Sequence, residues 1–570
     1  MPRSIAFPVF SFLLVMLSVS FSNPLHVFPL LNYNEELFAA CAVVAGAAVL
    51  VWCCRELRFS LFSALWLALG CVFLLSAMVS PATFVSGKLG YLLYWFIGAL
   101  ALLVGEQLDW NDFRASDRLA WILLLCSLFG SVLGGLRHFG LLWSGFDGVI
   151  PKVPSDRMIG FIGQSNYFGH ICLVGILSAA WLFNRRKLNT VILVLGAIPC
   201  ISGLLLSGSR SALLAWFCVV LLLWGRDRVM SRYKVAATLG LLATLALMPV
   251  VPDIAQWLAQ FSSEGILDGR LMAIGQRGVD SPARLLEWKI AFDVWMGHPW
   301  LGVGVGNYAA AGFDEHIRQG ISSSSGLFTH SHNIFLQLSA ETGVPGILWC
   351  LIFGVIFCVY GWRACGSEAK QLPVSILLIF SVYSLLEFPL WIMPFLVLSL
   401  LLLGVLADSA AVIRLRLAKG FSLVLSCVFL VMVTVYVPLM ERFYWSFRQY
   451  LVRAPVKVEE YDFMTAMIRD PLMEPAGYLI YFANFQLSAK TVVQEREVLE
   501  RFRRYLPYPP VMARLAVVQV AMGDVEDGRR TVMENRLYYG NAGIEHFMYA
   551  IRDEAESAFP DTDFSVLFTE

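Results

Sequence analysis

Apolar residues in this chain come in long unbroken runs, not in the alternation of a half-buried strand or the single stripe of a surface helix. They lie near residues 5–22, 36–53, 60–79, 89–105, 119–137, 167–184, 189–206, 211–225, 235–251, 333–361 (with 344–361 as the membrane part), 373–388, 391–407 and 421–439. A run of roughly 17–21 apolar residues is long enough to cross a bilayer as a helix. The pattern predicts an all-α, polytopic membrane protein with about thirteen transmembrane helices, since in lipid a helix satisfies its own backbone. The stretch Met1–Ser22 has one Arg and then an apolar run, but no small-x-small cleavage site follows. It reads as an uncleaved first span.

The polar gaps orient these helices. Arg3, Arg55/Arg58, Arg114/Arg118, Arg185/Arg186/Lys187, Arg226/Arg228/Arg232/Lys234, Arg363/Lys370 and Arg414/Arg416/Lys419 fall in every second gap, while the intervening short gaps hold Lys88, Lys152, Arg157 and Arg210. The excess of basic residues on one side places the N-terminus in the cytoplasm. An odd number of spans then sends the long loop and the tail across, into the periplasm of a bacterial inner membrane. The expected organisation is N-terminal transmembrane helices (1–251), a long periplasmic loop (252–332), C-terminal transmembrane helices (333–439) and a periplasmic helical domain (440–570). From Glu441 onward charged and apolar residues interleave at helical spacing. Within that tail Arg514–Tyr539, RLAVVQVAMGDVEDGRRTVMENRLYY, reads as helix, Gly-Asp turn, helix, in the manner of a tetratricopeptide-like hairpin.

Composition narrows the class. A hydrophobic share of 58% and a mean hydropathy of +0.69 exclude a water-soluble globule. A formal net charge of zero removes the basic footprint of a nucleic-acid binder. Most of the twelve Cys lie inside apolar spans, where a thiol packs as a small hydrophobe, and none has zinc spacing.

Polar clusters gather at the predicted outer ends of the helices. Gly163-Gln164-Ser165-Asn166 precedes the sixth helix, and Ser207-Gly208-Ser209-Arg210 turns between the seventh and eighth. Arg284 and Lys289 lie in the loop segment SPARLLEWK, ahead of Gly302-x-Gly304-x-Gly306-Asn307. His330, His332 and Asn333 open the tenth helix, with Glu341 further along it, and Glu387-Phe388-Pro389 closes the eleventh. Helix N-termini carry unpaired N–H groups and positive partial charge, which suits an anion such as phosphate. Arg210 and Arg284 add forked, permanently charged donors. Histidine titrates around neutral pH, so His332 is a candidate general base for a hydroxyl. An ionisable residue at membrane depth, such as Glu341, is costly to keep without a role. Together these features point to transfer from a lipid-phosphate donor to a hydroxyl acceptor, and they require Arg210, Arg284 and His332 to meet in one cavity.

Blander readings stand beside each element. Arg210 could snorkel to headgroups, and Gln164 and Asn166 could cap a helix. The GVGVGN run follows no strand of a βαβ unit, so loop flexibility or close backbone packing explains it better than a nucleotide site. His330 and His332 lack a third metal ligand.

The order GQSN, SGSR, R-x-x-E-W with a downstream GxGxxN, LFTHSHNIFLQLSAETG and LEFPLW resembles the bacterial O-linked protein oligosaccharyltransferases, the pilin-glycosylating branch of the O-antigen ligase and polymerase superfamily. The likeness covers residues from about 158 to 400, and the helical tail fits the same branch. It implies a metal-independent, cofactor-free inner-membrane enzyme that moves a preassembled glycan from undecaprenyl diphosphate to a Ser or Thr hydroxyl of a pilin-like protein. By that resemblance His332 activates the acceptor, Arg210 and Arg284 hold the donor diphosphate, and Gln164, Asn166, Glu341 and Glu387 match positions that line the site; from their place in the same polar clusters, Lys289 is expected to join the diphosphate-binding groups and Ser209, His330 and Asn333 the lining. Phe388 stands where a Tyr is common in the family's EYP-type motif. An O-antigen ligase or polysaccharide polymerase is the nearest alternative. A transporter or flippase would carry its polar residues at mid-membrane in paired broken helices, and a Ser–His protease built on Ser209 or Ser211 lacks supporting spacing.

Overall fold

Each of these apolar runs falls on a helix, because nothing but an occasional Pro interrupts them and flanking polar residues start them cleanly. Asp112, Asn189 and Ser231 cap three of the helices by accepting from the backbone N–H of Arg114, Ile192 and Lys234. The protein is seen here as a computed structural model that describes residues 2–26, 31–80, 83–139, 141, 157–226, 230–250, 253, 282–323, 326–407, 410, 412–443 and 458–568. Among the described residues strand is confined to one antiparallel pair, Leu57–Ser60 against Val412–Leu415. The segment 254–281 of the predicted long loop lies outside the described residues.

Among the described residues nine helices are long and apolar enough to cross a membrane. The remaining predicted spans, Arg210–Arg226, Arg232–Leu247, Gln371–Ser384 and Met393–Ala407, are helices of 17, 16, 14 and 15 residues. At about 1.5 Å per residue the last three fall short of the hydrocarbon core, while Arg210–Arg226 reaches the lower end of the spanning range. Met393–Ala407 is buried along its whole length, so its apolarity serves protein packing. The helix Ile334–Ala364 is broken at Gly343 (φ 64°, ψ −146°), leaving 344–364 as its membrane-length part.

The chain divides into two compact units. The first comprises Met1–Leu67, Tyr94–Asp280 and Ile352–Glu441. Its core is built on fully buried Trp110, Trp181 and Trp216. Gly105 and Gly404 back onto each other there, and a Cβ on Gly105 would lie 2.1 Å from the Leu401 carbonyl oxygen. Small residues of this kind let apolar helices approach closely.

The second unit comprises Ala68–Leu93, Ser281–Leu351 and Arg442–Glu570. The loop after residue 281 folds as two helices, Pro282–Gly297 and Tyr308–Gln319, around a glycine turn. Six further helices follow from Val458 to Ala558. Pro509–Ala521 and Val525–Tyr539 form the hairpin read from the sequence, tied across by Thr531 Oγ1 donating to Gln519 Oε1 at 2.8 Å. Leu499, Phe502, Val517 and Ile544 make the core of this tail together with Phe84, whose ring lies 4.8 Å from Phe502.

Candidate functional site

The candidate residues form two clusters, one in each unit. In the first unit, Gly208 ends the helix Thr190–Ser207 in the left-handed region (φ 60°), so the chain turns at once into the helix beginning at Arg210. Ser209 is buried in that turn, its hydroxyl 3.2 Å from Ser211 Oγ, and Arg210 is exposed at the helix start. Asn166 sits in the first turn of the facing helix Ser165–Asn184. It does not cap it: Oδ1 accepts from Arg157 Nη2 at 2.7 Å and Nδ2 donates to Glu387 Oε1 at 2.8 Å. Arg157 also donates from Nε to the Ser207 carbonyl at 2.6 Å. A cation, an amide and a carboxylate from three separate segments are thereby joined. Gln164 occupies the N-cap position without a side-chain cap bond, and its Oε1 faces Tyr383 Oη at 3.5 Å. Tyr383 stacks on His170 with centroids 3.5 Å apart. Arg157, read in the sequence only as a loop charge, is a member of this cluster that pattern alone could not find, since its partners are 9 and 50 residues away.

In the second unit, Glu341 is the centre. Its carboxylate is 1% exposed. Tyr91 Oη donates to one oxygen, and the Gly306 N–H donates to the other at 3.1 Å. A buried carboxylate without such donors would be far too costly. The glycine run supplies the close approach this needs. Gly302, Gly304 and Gly306 all have positive φ (66°, 96° and 80°), and a Cβ on Gly302 would lie 2.3 Å from the Glu341 carbonyl carbon. Val303 and Gly304 N–H donate to the carbonyls of Ala340 and Glu341, which the break at Gly343 leaves without helical partners. Of the readings open for GVGVGN, close backbone packing is the one observed.

His332 lies just ahead of this helix, half-buried, with φ +55°. Among the described residues Arg186 is the only other non-glycine with positive φ. Holding an L-residue there costs roughly 1–2 kcal/mol, so the surroundings must impose it. They do so on both sides. The N–H of buried Ser331 donates to Gln337 Oε1 at 2.7 Å, and Ser331 Oγ donates to the Asn333 carbonyl at 3.0 Å. Asn333 Oδ1 accepts from the N–H of Phe335 and Leu336, capping the helix. Gln337, unremarked in the sequence beyond its place in the motif, thus fixes the residue before His332. Phe328 packs edge-on against the His332 ring at 5.5 Å. His330 Nδ1 lies 2.9 Å from Thr329 Oγ1, and burial with the neighbouring His332 pushes its pKa down to about 3. Arg284 and Lys289 share the helix Pro282–Gly297, where Lys289 Nζ donates to Gln319 Oε1 at 2.9 Å. Among the described residues no group of three or more His, Cys, Asp or Glu is arranged to hold a metal.

Two family models match parts of the chain. Residues 195–351 match the O-antigen ligase model, and residues 371–546 match the C-terminal model of virulence-factor membrane-bound polymerases. The two matches together support placing the chain in the O-antigen ligase superfamily. The ligase match spans Arg210, Arg284, Lys289, His332 and Glu341, and the polymerase match contains Glu387 and most of the helical tail. No curated protein matches the chain. As a superfamily member with these apolar helices it is a multi-pass membrane protein of the ligase and polymerase kind.

Proposed function

We propose that this ligase-superfamily protein transfers a preassembled glycan from an undecaprenyl-diphosphate carrier to a Ser or Thr hydroxyl of a pilin-like protein, at the periplasmic face of a bacterial inner membrane. The observation that carries the reading is the strained backbone of His332, clamped by buried hydrogen bonds to its two chain neighbours. Strain held this firmly serves to present a side chain. His332 takes the proton of the acceptor hydroxyl as its oxygen bonds to the anomeric carbon. The bond from that carbon to the diphosphate breaks, and the leaving diphosphate is neutralised by the Arg284 guanidinium group with Lys289 as an added charge. Attack opposite the leaving group inverts the anomeric centre. Asn166 and Glu387 orient the first cluster, and Glu341 anchors the second.

The positive-inside distribution supports a cytoplasmic N-terminus with both polar clusters outside. The test is co-expression with a lipid-linked glycan and a pilin-like protein, read as a mass shift on that protein. The wild type is expected to give the shift. His332→Ala is expected to lose it by roughly 10²–10⁴-fold in rate, the usual worth of a general base, and Arg284→Lys to be impaired because an ammonium is not a fork. Transfer by His332→Ala at the wild-type rate would remove the base from the mechanism. The polymerase match over 371–546 favours a second reading, in which the acceptor hydroxyl belongs to a growing polysaccharide. In that case the product is a ladder of glycan lengths, with no shift on the pilin.

A further inference from the structure

Glu287 and His316 form a buried ion pair that the proposed chemistry does not use. Both side chains are 1% exposed, and His316 Nε2 lies 2.7 Å from Glu287 Oε1. His316 Nδ1 faces the Ile321 carbonyl at 3.1 Å. Each ring nitrogen thus faces an oxygen, which fixes the orientation of the imidazole against Glu287. Tyr308 Oη completes the carboxylate's surroundings at 3.4 Å.

The pair sits where it can set two functional elements at once. Glu287 is one helical turn beyond Arg284 on the helix Pro282–Gly297, so the two side chains share a face. His316 lies in the last turn of the helix Tyr308–Gln319, and its ring rests edge-on against Tyr538 with centroids 4.9 Å apart. Tyr538 in turn accepts from Ser323 N–H at its carbonyl (2.7 Å) and from Phe328 N–H at its hydroxyl (3.3 Å). Phe328 packs on the ring of His332. One continuous set of contacts therefore runs from the helix of Arg284, through the ion pair and Tyr538, to the approach of His332.

We infer that Glu287 and His316 are positioning residues, holding the Arg284 helix in register with the segment that presents His332, so that Glu287 acts on the lipid-diphosphate donor through Arg284. This rests on the donor-binding role given above to Arg284. A buried ion pair is a poor source of stability compared with apolar packing of the same volume, but its geometry tolerates little drift.

The test is a thermodynamic cycle on the full-length protein in nanodiscs, with an undecaprenyl-diphosphate-linked oligosaccharide as the probe. Arg284→Ala and Glu287→Gln are each expected to weaken binding about tenfold, and the double variant to bind no more weakly than Arg284→Ala alone, since coupled residues are not additive. Tyr308→Phe, which removes one bond to Glu287 and leaves the pair buried, is expected to weaken binding about two- to threefold and to be silent in the Arg284→Ala background. It carries the test if Glu287→Gln does not fold. Additive losses, or wild-type binding by Glu287→Gln, would overturn the inference. Failure of the wild type to bind the donor, or an Arg284→Ala protein that binds normally, would overturn the donor-binding role itself and the inference with it.

Discussion

His332 and its neighbours show how individual side chains make a site out of an unfavourable backbone. The left-handed conformation at position 332 is held because Gln337 and Asn333 satisfy the polar groups on either side, so the cost is spread over a buried network. His330, two positions earlier, is different in kind. Its folded pKa of about 3 lies below the ordinary value of 6.5, so between those values the unfolded chain binds a proton that the folded protein refuses. Its contribution to stability is complete above pH 6.5 and is lost as pH falls toward 3. The thermal midpoint of the wild type is therefore expected to fall between pH 7 and pH 4.5 by more than that of His330→Gln. Equal slopes would show that His330 is not buried neutral. The residues that carry charge and motif, His332, Arg210, Arg284 and Glu341, stand out in the sequence. Arg157 and His316 do not, because their partners are distant in the chain and ordinary in type.

Among helices and turns, the short helix that carries Glu341 depends on the glycine run. Its last carbonyls are capped from Val303 and Gly304, and no side chain fits between these backbones. Gly302→Ala would force a Cβ against Glu341 in a left-handed backbone, with an expected cost of roughly 2–5 kcal/mol. The predicted result is a lower thermal midpoint together with lost glycan transfer, while Gly354→Ala, where a Cβ meets nothing, serves as the silent control. Helix positions were legible from apolar runs because a chain crossing lipid has few ways to satisfy its backbone. Helix lengths were not. Residues 391–407 and 373–388 look like spans, yet they form helices of 15 and 14 residues. Apolarity measures what a helix is shielded from, and a protein interior shields as well as a bilayer.

For the chain as a whole, the helical tail packs with a segment far from it in sequence. Phe84 belongs to the same core as Phe502, and Arg501 lies over the Phe84 ring at 4.1 Å. Phe502 is fully buried, and Phe502→Ala is expected to cost about 3–5 kcal/mol. Limited proteolysis should then cut between 458 and 568 while the helices of the first unit stay protected; protection of the tail would show that its core does not depend on this ring. Class, membrane habit and superfamily could be read from the linear order of residues, because each follows from apolar run length or from short motifs whose members are neighbours. Which helices are full-length, which glycines are cradles, and which distant groups close on Glu341, Asn166 and Glu287 followed only from the folded chain. Those contacts join positions from nine to some hundreds of residues apart, and nothing local marks which pairs will meet.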